Sequence, residues 1–311
     1  MDPFDLASLF SLRELQDGLT HSAVPKLATV TPVKQCRSIA ILPGSFNPPT
    51  AAHVLLAERA LTEGYECVMF TYARATVGKK PGGLTPEDRL LTVRAATGDR
   101  YAVAAVSHGL YADQAEAATA MFPGAEIGFL VGSDKVLQIF QDRWYGDRTT
   151  SLERFFSLAR LVVAPRSDHG ERLKWTLQSP ANRMWARRVE VLRLHPAVSD
   201  LSSTRVRGLL RAGADPAGLV PAPVAEILSA VRAFAPPLIV GNEEVDAYDV
   251  RARLIDLLWS MRGRDAVGVD LRALVRTATS PSDAGRALRA TLMQGMARAG
   301  DLERAQAASG G

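Results

Sequence analysis

Short apolar runs recur between residues 38 and 194, separated by stretches with helical spacing, and this alternation constrains the fold more than any other feature. The runs are Ser38–Leu42, Glu66–Tyr72, Tyr101–Val106, Ile127–Val131, Arg160–Ala164 and Val189–Leu194. They are apolar at consecutive positions rather than at every second one, so both faces of each strand need covering. The intervening segments, such as Val54–Glu63 and Pro86–Ala96, have helix-like patterns. Strands of this kind alternating with helices predict a parallel sheet flanked by helices, an α/β fold.

The flanking segments differ in character. In residues 1–37, Leu6, Leu9, Phe10, Leu12 and Leu15 predict a short amphipathic helix, followed by a Pro- and Thr-containing connector to Cys36. Residues 204–235 are predicted helical, with Thr204 as a start and Gly213 as a stop. Pro221 suits a first helical position, and Val224, Ile227, Leu228 and Val231 form one face. Pro236-Pro237 breaks the chain. Beyond it an Ala/Arg/Leu-rich stretch with Leu254, Leu257, Leu258 and Met261 in register predicts a helical appendage with an Ala/Ser/Gly tail. The expected organisation is an N-terminal extension over 1–37, a main domain over 38–235 and a helical C-terminal extension over 236–311.

Composition mostly excludes. A formal charge of +4 with no dense basic tract argues against a nucleic-acid partner. The two cysteines, Cys36 and Cys67, are far apart and outside any CxxC pair, so neither a zinc site nor a disulfide framework is predicted. The N-terminus has no basic start before an apolar stretch, and no run reaches the ~18–20 apolar residues of a membrane helix. A cytoplasmic protein with no membrane partner is the expectation. The six lysines, Lys26, Lys34, Lys79, Lys80, Lys135 and Lys174, are few beside the arginines, which makes the pair Lys79-Lys80 conspicuous.

The first predicted strand runs into Pro43-Gly44-Ser45-Phe46-Asn47-Pro48-Pro49-Thr50-Ala51-Ala52-His53. In an open α/β sheet, ligands bind beyond the carboxyl ends of strands. Gly44 and Ser45 allow close backbone approach, and Thr50 caps a helix whose first turn carries His53. A helix start offers N–H groups and partial positive charge to phosphate. A GxGxxG fingerprint is absent after this strand, which weakens an oxidoreductase reading. A second candidate, Leu201-Ser202-Ser203-Thr204-Arg205-Val206-Arg207, places three hydroxyls at another helix start, with Arg207 one turn on as a planar cation for phosphate oxygens.

GSFNPPTAAH resembles the (H/T)xGH loop of the nucleotidyltransferase superfamily, and its GSFNP wording is most similar to the nicotinamide and nicotinate mononucleotide adenylyltransferases. Ala52 stands where the family usually has glycine or another residue. LSSTRVR resembles the family's second signature, ISSTxxR, with Leu201 in place of isoleucine. The resemblance spans roughly residues 38–235 and implies a Rossmann-like nucleotidyltransferase fold. It also implies an adenylyltransferase moving AMP from ATP to a pyridine mononucleotide in NAD biosynthesis.

The resemblance gives each candidate residue a role. His53, Thr50 and Arg207 are catalytic, with His53 donating to the α/β-phosphates. Gly44, Ser45, Phe46, Ser202, Ser203 and Thr204 bind ATP. Gly132 and Asp134, in Phe129-Leu130-Val131-Gly132-Ser133-Asp134, are similar to the family's G-x-D element, whose acidic group bonds a ribose. Lys79, Lys80, Arg89, Trp144 and Arg166 lie where the family handles the acceptor, Trp144 as a stacking aromatic. Mg²⁺ is expected on the phosphates rather than in a carboxylate cage. Other acceptors (pantetheine phosphate, FMN, or an alcohol phosphate with CTP as donor) remain open, as does a non-catalytic nucleotide-binding role. A class I aminoacyl-tRNA synthetase is disfavoured by length and by the missing KMSKS-like loop. For the C-terminal helices, packing or homo-oligomer assembly is the default.

Overall fold

A computed structural model describes residues 2–73, 82–165, 170–192 and 201–294. All six predicted runs form strands. In chain order the elements are α1 (Leu6–Thr20), β1 (Leu27–Thr29), β2 (Ser38–Pro43), α2 (Ala51–Thr62), β3 (Cys67–Ala73), α3 (Pro86–Thr97), β4 (Ala102–Val106), α4 (Tyr111–Met121), β5 (Glu126–Gly132), α5 (Ser133–Ile139), α6 (Arg148–Leu158), β6 (Arg160–Ala164), α7 (Gly170–Gln178) and β7 (Val189–Val191). After them come α8 (Ser203–Arg211), α9 (Ala222–Ala230), β8 (Leu238–Val240), β9 (Glu243–Val245), α10 (Ala247–Arg262) and α11 (Leu271–Ala278).

The main sheet has seven strands in the order β1-β4-β3-β2-β5-β6-β7. Every pairing is parallel except β1 with β4, where Leu27 faces Val106. This is a Rossmann-like sheet. Its centre follows from the sequence: Ile39 and Ile41 on one face of β2 and Ala40 and Leu42 on the other are all buried. Only helices on both sides can cover such a strand. β1 was not anticipated, because Leu27-Ala28-Thr29 is too short to show a period and takes its place by pairing with an edge.

Chain order reverses direction at β2. The chain steps outward from β2 through β3 to β4, then returns to β5 on the other side of β2. The carboxyl ends of β2 and β5 therefore flank the crevice where doubly wound sheets bind ligands. Gly44–Asn47 follows β2 there, and Gly132–Asp134 closes β5.

Two compact units are present: Leu12–Gly208 with Pro216–Ala225, which holds the sheet, and Met1–Ser11 with Leu209–Asp215 and Glu226–Gly311. In the second unit, the stretch expected to be wholly helical opens with a hairpin, β8–β9, turned at Gly241 (φ +64°). Here the fully buried Arg251 donates from Nε to Pro3 O (3.1 Å), and Phe4 lies under both Arg251 and Arg272. Residues 1–37, expected as one extension, thus divide between the units. Among the described residues, no helix is long and apolar enough to cross a membrane.

Candidate active site

The loop after β2 is held in an uncommon backbone shape. Phe46 adopts φ +41° with its ring buried, edge-on to His53 (5.3 Å between centroids) and against Phe70 (5.7 Å). A large residue in the left-handed region is strained, and such strain persists only where surroundings enforce it. Gly44 makes the shape possible: a Cβ there would lie 2.6 Å from the Phe46 ring. The fully buried Thr50 precedes α2, and its backbone N–H donates to His53 Nδ1 at 2.9 Å. The Thr50 hydroxyl is 2.8 Å from the same nitrogen. The first amide of α2, at Ala51, is taken by Leu219 O (2.9 Å). Helix α2 thus offers a ligand fewer amides than its sequence suggests.

The second motif lies directly against the first. Ser203 Oγ donates to Pro48 O (2.7 Å), and Arg207 Nη1 donates to Asn47 O (2.8 Å) across 160 residues of chain. Arg207 Nη2 also donates to Thr204 Oγ1 (3.1 Å), and Ser202 Oγ accepts from Arg205 N (3.3 Å) at the start of α8.

Arg89 sits in the first turn of α3 and is buried. Its nitrogens donate to three backbone carbonyls: Nε to Leu84 O (2.8 Å), Nη1 to Ser45 O (2.9 Å) and Nη2 to Gly82 O (2.6 Å). The same helix is tied to α1 through the part-buried pair Arg13–Glu87 at 2.7 Å. Gly132 caps α5, and Asp134 lies in that helix's first turn. Burial, and secondarily the charge of Asp134, push the Tyr111 hydroxyl's pKa up, so it stays a neutral donor. Trp144 closes a short 3₁₀ turn, Asp142–Trp144. Lys79, Lys80 and Arg166 lie outside the described residues.

Comparison with known proteins settles the family. The cytidylyltransferase-like family model matches residues 41–209, which is more than half of the chain and contains both motifs. The chain belongs to the cytidylyltransferase-like family. It is 32% identical over 216 residues to a probable nicotinate-nucleotide adenylyltransferase of Geobacter sulfurreducens, an alignment covering 63% of this chain and 97% of that protein. It is 31% identical over 211 residues to a protein of the same name from Anaeromyxobacter dehalogenans, covering 64% and 97%. Among solved structures, the Plasmodium falciparum nicotinic acid mononucleotide adenylyltransferase complexed with NaAD aligns over 64% of this chain and 98% of its own, at 14% identity and a TM-score of 0.47.

In this cytidylyltransferase-like enzyme the two motifs, Arg89 and the end of β5 all belong to the sheet-bearing unit. Sequence reasoning missed Asn47, whose side chain donates from Nδ2 to Gly82 O (2.8 Å) and accepts from Leu84 N (2.9 Å) through Oδ1. It also missed Leu219 and Tyr111. No local pattern marks these, since each acts on a partner far along the chain. Among the described residues no group of three or more His, Cys, Asp or Glu could hold a metal ion.

Proposed function

We propose that this enzyme transfers AMP from ATP to a pyridine mononucleotide, nicotinate mononucleotide or its nicotinamide counterpart, and releases pyrophosphate in a step of NAD biosynthesis. The observation that carries the reading is the meeting of the two phosphate-binding motifs, through Arg207 and Asn47, beyond the end of β2. Adenylyl transfer and a pyridine acceptor are favoured by the names of the relatives and by the GSFNPPT wording. Those names favour the nicotinate form.

An acceptor phosphate oxygen attacks the α-phosphorus in line. A new P–O bond forms as the bond to the bridging oxygen breaks, and pyrophosphate leaves. No covalent enzyme intermediate is needed, so catalysis is positioning plus stabilisation of charge. Since Nδ1 of His53 accepts from a backbone N–H, the neutral ring carries its proton on Nε2, and we assign that N–H to the α/β-phosphates. Thr50 holds this tautomer, and the Gly44–Phe46 backbone lies against the nucleotide.

Ser202, Ser203, Thr204 and Arg207 take the β/γ-phosphates. Thr204 Oγ1 accepts from Arg207, so its own proton can go to a phosphate oxygen. Gly132 leaves room for the ribose that Asp134 bonds. Lys79, Lys80, Trp144 and Arg166 are assigned to the acceptor on the family's pattern. A magnesium ion would ride on the triphosphate oxygens and water. We place the enzyme in the cytoplasm with its nucleotide reactants; no nucleic acid takes part.

The test is pyrophosphate release from purified protein with Mg²⁺ and ATP or CTP. The acceptor panel is nicotinate mononucleotide, NMN, pantetheine phosphate, FMN and glycerol phosphate. Release with ATP and a pyridine mononucleotide is expected. Release only with another acceptor, or only with CTP, overturns the substrate while keeping the chemistry. No release with any pair, from protein that binds ATP, points to a binding role.

A further inference from the structure

Asn47 is the point where three separate segments of the chain are joined. Its side-chain amide uses both ends on one short strip, donating to Gly82 O and accepting from Leu84 N. Its own carbonyl receives Arg207 from the second motif. The strip is then clasped from the other side by Arg89, which donates to Gly82 O, to Leu84 O and to Ser45 O two residues before Asn47. Gly83 lies between at φ +83°, and a Cβ on it would collide with the Asn47 side chain. Bonds that share acceptors and donors in this way support one another, so loss of one loosens the rest.

We propose that Asn47 and Arg89 are positioning residues for nucleotidyl transfer: together they lock the strip Gly82–Leu84 against the Ser45–Asn47 loop, and so fix Phe46, His53 and Arg207 relative to one another. The inference rests on the adenylyl-transfer reading for its kinetic consequence, but the clasp itself is physical and can be tested without turnover. It also gives Arg89 a different task from direct contact with the acceptor. A guanidinium that gives three of its five N–H groups to main-chain carbonyls holds backbone. The strained Phe46 lies within this clasp, between Ser45 and Asn47, which accounts for how its conformation is enforced.

The experiment compares full-length wild type with Asn47→Ala, Asn47→Asp, Arg89→Lys and the Asn47→Ala/Arg89→Lys double variant. Three quantities are read: steady-state kinetics for ATP and the acceptor, thermal midpoint, and hydrogen–deuterium exchange of peptides covering 44–49 and 82–89. Misplacing a reacting geometry by about an ångström costs on the order of a hundredfold. Asn47→Ala and Arg89→Lys are therefore each expected to lower kcat by about 10- to 100-fold with a smaller change in KM. The double variant should lose little more than the worse single one, because both act on one network. Asn47→Asp keeps the acceptor for Leu84 N–H but not the donor to Gly82 O, and should fall between wild type and Asn47→Ala.

Exchange should rise in both peptides, while that of the β5 and β6 peptides stays as in wild type. Faster exchange with kcat within about twofold of wild type would make the clasp merely structural and overturn the proposal. Additive losses or unchanged exchange would overturn it equally. If wild type turns over no substrate pair, the adenylyl-transfer reading fails. ATP affinity then replaces kcat as the functional readout, expected about tenfold weaker in Asn47→Ala, and equal affinity with unchanged exchange overturns the clasp.

Discussion

The backbone N–H of Thr50 donates to Nδ1 of His53 at 2.9 Å, and the Thr50 hydroxyl lies 2.8 Å from the same nitrogen. One residue thereby fixes both the orientation and the tautomer of the imidazole before any nucleotide arrives. Replacing His53 with Ala should lower kcat by about 10²–10³, the usual cost of losing one preorganised donor to developing charge. The thermal midpoint should stay close to wild type. Near-wild-type pyrophosphate release by this variant would remove His53 from the chemistry. Thr50→Val keeps the backbone donor and should cost less than His53→Ala.

Gly44→Ala should cost more activity than stability. Its methyl would lie 2.6 Å from the Phe46 ring, and that ring is buried, its centroid 5.7 Å from that of Phe70. The loop must shift, and His53 with it. The check is kcat for Gly44→Ala alone and combined with Phe46→Leu, which makes room for the methyl. If the single variant is as active as wild type, the loop tolerates more than its geometry allows.

A different glycine serves the core alone. Gly128 in β5 lets the Tyr65 side chain cross the sheet surface, where a Cβ would collide with the Tyr65 hydroxyl and ring. Gly128→Ala should destabilise the protein by about 1–3 kcal/mol through overpacking, read as a lower denaturant midpoint. Adding Tyr65→Ala should then cost less than Tyr65→Ala costs the wild type. Independent, additive losses would show that the two do not meet.

Cys36 should be nearly inert in the folded protein. Burial first, and then its hydrogen bond with Cys67, push its thiol up to about 12. Thiolate is the reactive form, and at pH 8 far less of Cys36 than of an ordinary cysteine would be ionised. Because the folded pKa is raised, reactivity should climb only at strongly alkaline pH or on unfolding. Iodoacetamide labelling followed by peptide mass mapping, native against urea-unfolded, checks this. Rapid native labelling of Cys36 at pH 8 would contradict it.

The α/β fold and the two strand-to-helix segments, Gly44–His53 and Leu201–Arg207, were legible in the sequence because their signals are local. Consecutive apolar residues, as at Ile39–Leu42, can be satisfied only by a strand covered on both faces. A hydroxyl or threonine before a helix, as at Thr50 and Ser202–Thr204, marks its start within four residues. The edge strand at Leu27–Thr29 and the hairpin at Leu238–Val245 were not legible, since three-residue strands have no measurable period and exist by pairing. Arg89 shows the limit most clearly. The family resemblance puts it with the acceptor, but the direction of a long side chain depends on what folds around it. Ser45 lies just past β2 and Gly82 and Leu84 lie just before α3, so their carbonyls meet it only through the packing of those elements. By itself, then, the sequence determined the six parallel strands of the sheet, the helices between them, and the two loop-to-helix segments proposed to bind phosphate. Only the tertiary structure decided which of those residues hold one another, because a hydrogen bond between residues 160 positions apart is set by packing and leaves no mark on the neighbouring chain.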